Sequence, residues 1–302
     1  MNAKLRRSLR KQLYAGLKKL TNFSRLVPTR TKKIPILVYH RVCPLFFDKQ
    51  IPYANVYPAE FEKQIAFIAE KHEGITVTEY LRRRSAGKLT GDEICITFDD
   101  GFKDNYLFAF PILRKYQVPA NFFLVTKYIG SNDLFPWVPL DEGGKSDLFL
   151  HRENWIPMNW ENVKEMMEGG MEFGTHTHTH TRSLSELSIE VAAQELRDCT
   201  NVFKEETASN PKVFCFPHGT ALDYGPEHIG MIKSLGYEAA LTTNIGRNTS
   251  MQDPFELKRL IVYEEDTLWE VKKKAQGAYD FVGALQNGWL RIAGAKKYSE
   301  YE

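Results

Sequence analysis

Two adjacent carboxylates, Asp99 and Asp100, and three histidines at alternate positions, His176, His178 and His180, are the side chains of this 302-residue sequence best placed to do chemistry. The aspartates end an apolar run, Ile94-Cys-Ile-Thr-Phe98, and Gly101 follows them. Successive side chains of an extended segment point to opposite sides, so one aspartate can face a bound ion while the other faces a substrate, and glycine permits a tight exit. The histidines crowd the run Gly174-Thr-His-Thr-His-Thr-His-Thr181. With the aspartates they suggest a divalent metal site of mixed nitrogen and oxygen ligands, for which zinc is the default, with cobalt or nickel as substitutes. Zinc-bound nitrogens lie about 2.0–2.1 Å from the ion, so the ligating pair must converge. Positions four apart on a full strand are separated by roughly 13 Å. His176 with His180 therefore requires a turn starting near Thr177, whereas a continued strand favours His178 with either neighbour.

Strands alternating with helices must position these groups. Strand patterns centre near Leu37, Ile96, Phe123, Phe173, Phe214, Ala240 and Leu260, and helical spacing is predicted over Ala59–His72, Val77–Ala86, Asn105–Tyr116, Trp160–Met167, Leu187–Glu206, Glu227–Leu235 and Leu268–Ala278. The alternation argues for a parallel sheet, and chemistry gathered at strand carboxyl ends argues for a closed barrel. Residues 126–158 carry glycines, prolines and aromatics with little periodicity and read as a lid or groove wall.

The composition, 43% hydrophobic and 26% charged with a net charge of +2, is that of an ordinary globular protein. Eleven of the 40 basic residues and none of the 38 acidic ones fall in residues 1–33, so the rest of the chain is acidic in balance and offers no nucleic-acid footprint. Within that basic segment Leu5, Leu9, Leu13, Leu17, Leu20 and Phe23 recur at helical spacing, the pattern of a basic amphipathic helix able to lie on an anionic membrane surface. Four cysteines are scattered without metal or disulfide spacing. No run reaches the length of a membrane span and no secretory h-region is present. A cytoplasmic protein, peripheral at the inner membrane face, is expected. The expected organisation is a basic helix and linker over residues 1–33, the barrel over 34–265, and a helix and tail over 266–302.

The runs Thr97-Phe-Asp-Asp-Gly101 and His176-Thr-His-Thr-His180 resemble the first two motifs of the polysaccharide deacetylases, the NodB-homology group or carbohydrate esterase family 4. The resemblance extends from Ile34 to about Val262. It implies a distorted (β/α)7 barrel, a metal held by Asp100, His176 and His180, Asp99 as catalytic base, and His178 as a bystander. Cys215-Phe-Pro-His-Gly219 stands where the family has Arg-x-Pro-x-Gly. Pro217, His218 and Gly219 still match and imply substrate binding, with the His218 backbone N–H serving the oxyanion. The arginine position holds Cys215, so the group orienting Asp99 must come from elsewhere, and Arg259 on the last strand is the candidate. The family's late motif, a hydrophobic residue followed four positions on by a histidine, is missing near the carboxyl end. Ile36-Leu-Val-Tyr-His40 satisfies it at the amino-terminal side, as in relatives of permuted order, which makes His40 the expected general acid. The aromatics Trp137, Trp155 and Trp160 are candidates for stacking on sugar rings.

The function implied is hydrolysis of N-acetyl groups on N-acetylglucosamine-type amino sugars of a polysaccharide or its lipid-linked precursor. A glycan-binding protein that has lost catalysis, and a deacylase of another amide or ester, are the alternatives.

Overall fold

The computed structural model describes residues 32–44, 55–138, 152–180, 182–283 and 285. In chain order its elements are β1 (Ile36–Tyr39), β2 (Arg41–Val42), β3 (Asn55–Val56), α1 (Pro58–Lys71), β4 (Glu73–Gly74), α2 (Val77–Ser85) and β5 (Glu93–Phe98). A π-helical turn (Asn105–Ala109) then leads into α3 (Phe110–Lys115), followed by β6 (Asn121–Leu124), α4 (Trp160–Glu168), β7 (Glu172–Thr175), α5 (Ile189–Thr207) and β8 (Val213–Cys215). The chain continues with α6 (Pro226–Ser234), β9 (Ala239–Ile245), β10 (Leu257–Ile261) and α7 (Leu268–Gln276).

Seven parallel strands close a ring in the order β1, β5, β6, β7, β8, β9, β10, and β10 returns to β1 with Leu37 opposite Leu260. Each of the seven strand centres expected from the sequence falls in one of these strands, and the fold is the (β/α)7 barrel. β4 adds to β5 at its amino-terminal end, and β2 pairs with β3 apart from the ring. These short pairs have too few residues to leave a periodic signal.

The two-residue period of the strands divides the core. Leu37, Tyr39, Ile96, Phe98, Phe122, Leu124, Phe173 and Leu260 face outward and pack under the helices, with Phe61 and Ile65 of α1 and Val163 and Met166 of α4. Ile36, Cys95, Phe123, Val213, Cys215, Ala239, Leu241 and Leu257 are in the opposite phase and fill the interior. Gly174 shares that interior phase, and its missing side chain leaves room for the Phe123 ring and for the carbonyl of Val213. Continuing the interior phase to the carboxyl ends of the strands gives His40, Asp99, His176, Cys215 and Arg259, so strand periodicity alone delivers five functional groups to one mouth.

Past residue 265, Val271, Ala275, Tyr279 and Val282 pack into the same outer core as the barrel helices. Lys33, before the first strand, pairs with Asp280 after α7 at 3.2 Å. No helix among the described residues is long and apolar enough to cross a membrane. The basic segment 5–23, residues 139–151 of the aperiodic stretch and the tail from residue 286 lie outside the described residues. The parts of that stretch that are described form a small cluster of their own, in which Phe135, Val138 and Trp155 pack with Phe102 and Val125.

Candidate active site

His176 follows β7 in the interior phase, and the chain then turns back on itself. Thr177 takes a left-handed conformation (φ 64°), and its hydroxyl accepts the backbone N–H of His180 at 3.2 Å. Glu195 on α5 accepts the N–H groups of His178 (3.1 Å) and Thr179 (2.8 Å) and the Thr179 hydroxyl (2.8 Å). The turn brings His176 Nε2 and His180 Nε2 to 3.8 and 3.9 Å from Asp100 Oδ1. His178 points elsewhere, its Nδ1 bonded to the Thr126 hydroxyl at 3.0 Å. Of the pairings left open by spacing, the structure brings together His176 and His180.

Asp100 should by strict alternation face away from Asp99. Its backbone is left-handed (φ 76°), which breaks the alternation and turns its carboxylate into the mouth. Such a conformation is uncommon for a non-glycine residue. Among the described residues, four of the six non-glycine residues with positive φ, Asp100, Thr177, His180 and His218, belong to this site. Strain concentrated in this way is typical of functional positions. Gly101 (φ 91°) follows, and a Cβ there would meet Leu124 at 2.8 Å and Ile129 at 3.0 Å.

Asp99, 2% exposed, is held by Arg259, itself fully buried, through two parallel bonds of 2.7 Å (Nη1 to Oδ1) and 2.8 Å (Nη2 to Oδ2). Arg259 Nε donates to the Thr242 carbonyl at 2.8 Å, and Nη2 lies 3.0 Å from the Cys215 sulfur. The guanidinium expected on β8 is thus supplied by β10, and the thiol that replaces it packs against the incoming arginine. The Cys215 carbonyl is 2.8 Å from His176 Nδ1. A carbonyl only accepts, so Nδ1 carries the proton and Nε2 presents its lone pair toward Asp100.

The two carboxylates are treated oppositely. Burial works to raise the pKa of Asp99, but the charge of Arg259, followed by His176, outweighs it and holds the carboxyl well below the usual range. Burial and the neighbouring Asp99 charge push Asp100 up to about 8. Burial also lowers His176 to about 4 and takes His180 well below its ordinary value, so both imidazoles are neutral at pH 7.

A neutral imidazole pair converging on a buried carboxyl group is a donor set suited to a divalent metal. One ligand atom from each of Asp100, His176 and His180 lies within 4.8 Å of the others. Two donors about 2.0–2.2 Å from one tetrahedral ion sit roughly 3.4 Å apart, so the observed separations need only a small closure. A second set, Asp99, His176 and Cys215, is equally compact. Arg259 already occupies both oxygens of Asp99, and burial keeps the Cys215 thiol protonated. The first set is therefore the better fit.

His40 lies half-buried at the end of β1, close enough for its charge to act on both Asp99 and His176. Pro217 is buried and His218 exposed, with the His218 ring 5.4 Å from that of His180. Gly219 (φ 61°) cannot carry a side chain, because a Cβ would meet Thr243 N at 2.9 Å and Phe216 O at 3.0 Å. Trp160 is not part of this assembly: it is 9% exposed and packs in the outer core at the start of α4. Trp155 is fully buried as well. Trp137 does reach the site, its ring 4.7 Å from His180. Glu195 had no signal in the sequence, since nothing local marks one glutamate of α5 as the cap of a turn sixteen residues earlier.

A parallel seven-stranded barrel with a carboxylate pair, converging imidazoles and a buried arginine at its strand ends defines a barrel hydrolase. The family model described as polysaccharide deacetylase matches residues 86–240, and the chain belongs to the polysaccharide deacetylase family. The matched span contains Asp99, Asp100, His176, His180 and Pro217 to Gly219, whereas His40 and Arg259 fall outside it. The chain is 25% identical over 224 residues to a poly-beta-1,6-N-acetyl-D-glucosamine N-deacetylase of Staphylococcus epidermidis, covering 71% of this chain and 70% of that one. It is 26% identical over 264 residues to the enzyme of the same description from Staphylococcus aureus, covering 81% and 83%. The structure of the Streptococcus pyogenes deacetylase PplD in complex with acetate superposes with a TM-score of 0.65 at 24% identity, covering 82% of this chain and 99% of that one.

Replacing Arg259 by Met leaves Asp99 as an uncompensated buried charge, and the expected cost is about 3–5 kcal/mol in urea unfolding, most of it recovered in the double variant Arg259→Met/Asp99→Leu. Additive losses in the double variant would refute the pairing. A second expectation concerns protons. The pKa of Asp100 without a cation, about 8, lies above neutrality, and ion binding needs the carboxylate. Capture at pH 6.5 should therefore release about one proton, and apparent affinity should rise about tenfold per pH unit before levelling above about pH 8. Calorimetry in buffers of different ionisation enthalpy reads this directly, and binding without proton release would contradict it.

Proposed function

We propose that the protein removes N-acetyl groups from a β-1,6-linked N-acetylglucosamine polymer. Asp99 is the general base, His40 the general acid, and Asp100, His176 and His180 the ligands of a divalent ion, zinc by default. The observation that carries the reading is the forked Arg259–Asp99 pair immediately beside the three-donor set. The polymer is suggested by the staphylococcal relatives, whose descriptions name it.

When bound, the ion supplies Lewis-acid polarisation of the acetyl carbonyl and makes water a better nucleophile at neutral pH. Asp99 accepts the proton of the attacking water. Arg259 holds both oxygens of Asp99 in place and keeps it ionised, so the base is ready at every working pH. The backbone N–H of His218, set by the left-handed residue and the crowded Gly219 after it, donates to the oxyanion as the carbonyl carbon becomes tetrahedral. His40 gives its proton to the departing nitrogen as the C–N bond breaks, which leaves acetate and a free amine. Trp137 walls the mouth against His180, and the exposed His218 marks its open side.

Asp99→Asn should lower acetate release from β-1,6-linked N-acetylglucosamine oligomers by roughly 10²–10⁴-fold with bound zinc unchanged, and His40→Ala should give a comparable loss with little loss of metal. Near-normal turnover in either variant would remove that residue from its role. A wild-type protein that binds the oligomer with zinc present but frees no acetate would instead be a glycan-binding protein.

The reading extends to the setting: a cytoplasmic enzyme attached at the inner membrane face through residues 5–23, whose basic amphipathic pattern supports it. Deleting residues 1–30 should abolish flotation with anionic vesicles, and undiminished flotation would rule that segment out as the anchor.

A further inference from the structure

Three consecutive residues at the end of β1 are gripped by the loop that follows the two aspartates. Asn105 Nδ2 donates to the His40 carbonyl at 3.0 Å and to Asp104 Oδ1 at 2.7 Å. Arg41 Nε donates to Asp104 Oδ2 at 2.7 Å, and the Val42 backbone N–H also bonds the Asp104 carboxylate. Arg41, Asp104 and Asn105 are all fully buried. The Arg41 guanidinium lies 3.6 Å from the Trp155 ring centre and 4.7 Å from that of Phe102, and its Nη2 donates to the Asn154 carbonyl at 2.6 Å. The stretch bearing Asn154 and Trp155 is itself tied to the aspartate loop, with Lys103 N bonded to Ile156 O at 2.9 Å and Met158 N to Gly101 O at 3.0 Å.

A buried ion pair is a costly way to stabilise a fold, since desolvation cancels much of the attraction. Its distinctive effect is to fix one geometry. Here the pair sits on the residue after His40 and five residues after Asp99. The turn that starts at Asn105 is π-helical, an irregularity that is frequent at functional sites. The two segments clamped together are those that carry the acid and the base.

We propose that Arg41, Asp104 and Asn105 are positioning residues that set His40 against Asp99 and lock the Trp155 segment to the same frame. The inference rests on His40 being the general acid. None of the three touches a reacting atom; they act through the backbone of residues 40–42.

The test uses the full-length zinc-loaded protein and two substrates, a β-1,6-linked N-acetylglucosamine oligomer and 4-nitrophenyl acetate, whose leaving group departs without a proton. Asn105→Ala removes the bond to the His40 carbonyl and leaves the Arg41–Asp104 pair in place. It should lower kcat on the oligomer by roughly ten- to a hundred-fold, with KM and zinc content unchanged, and lower aryl-ester hydrolysis far less. Arg41→Lys should give the same pattern. In the double variant His40→Ala/Asn105→Ala, turnover should equal that of His40→Ala alone. Additive losses, or equal losses on both substrates, would overturn the proposal. A slow His40→Ala beside an unaffected Asn105→Ala defeats the clamp alone, whereas an unaffected His40→Ala defeats the acid assignment beneath it.

Discussion

A carboxylate sealed inside a barrel must be neutralised or paired, and Asp99 is paired. Arg259 reaches it from β10 with two bonds to its two oxygens, a geometry that lysine could not reproduce. The interior around that pair is arranged accordingly. Cys215, on the interior face of β8, is short enough to leave the guanidinium its path and places its sulfur in contact with it. The Thr242 carbonyl takes the remaining Nε proton, and the Thr97 hydroxyl stands 3.4 Å from Nη1. The same strand end that supplies the thiol supplies the carbonyl that fixes the His176 tautomer. Asp99 and His176 therefore share one support.

The neighbouring Asp100 is forked by no arginine among the described residues and accepts a hydrogen bond from the Trp137 side chain instead. Its left-handed backbone turns it toward the two imidazoles, where burial makes its charge unfavourable. Two adjacent residues of one type thus diverge in chemistry, Asp99 an anion secured by the protein and Asp100 a carboxyl group that burial keeps protonated at neutral pH. The difference arises from a single backbone angle and from which strand carries the arginine, not from the residues themselves.

Much of this was legible in the sequence because period-two alternation is local: the seven strands, and the interior phase that carries His40, Asp99, His176 and Arg259, follow from counting residues. Arg259 is a candidate in the sequence for a different reason: Cys215 stands where the family has its arginine, and Arg259 is a basic residue on the last strand. What could not be read depends on partners distant in the chain. The turn that unites His176 with His180 is held by Glu195 on the next helix. The reorientation of Asp100 is a backbone event with no mark in residue type. Trp160 looked like a platform and is a packing residue, because aromatic identity does not report which side of a helix meets the core. Arg41 and Asp104, 63 positions apart, give no pairing signal at all.

Ring closure has a mechanical corollary. The seam between β1 and β10 is crossed by no covalent connection; it is held by the parallel register of Leu37 with Leu260 and Val38 with Ile261 and by the bridge from Ile34 to Asn248. His40 hangs from one lip of that seam and Arg259 from the other. Asp99 follows β5, which pairs with β1 on the far side of the seam, so a fluctuation that parted the lips would leave His40 beside Asp99 and carry Arg259 away from both, and the amides of residues 257–261 would exchange with solvent in step with the loss of that pair.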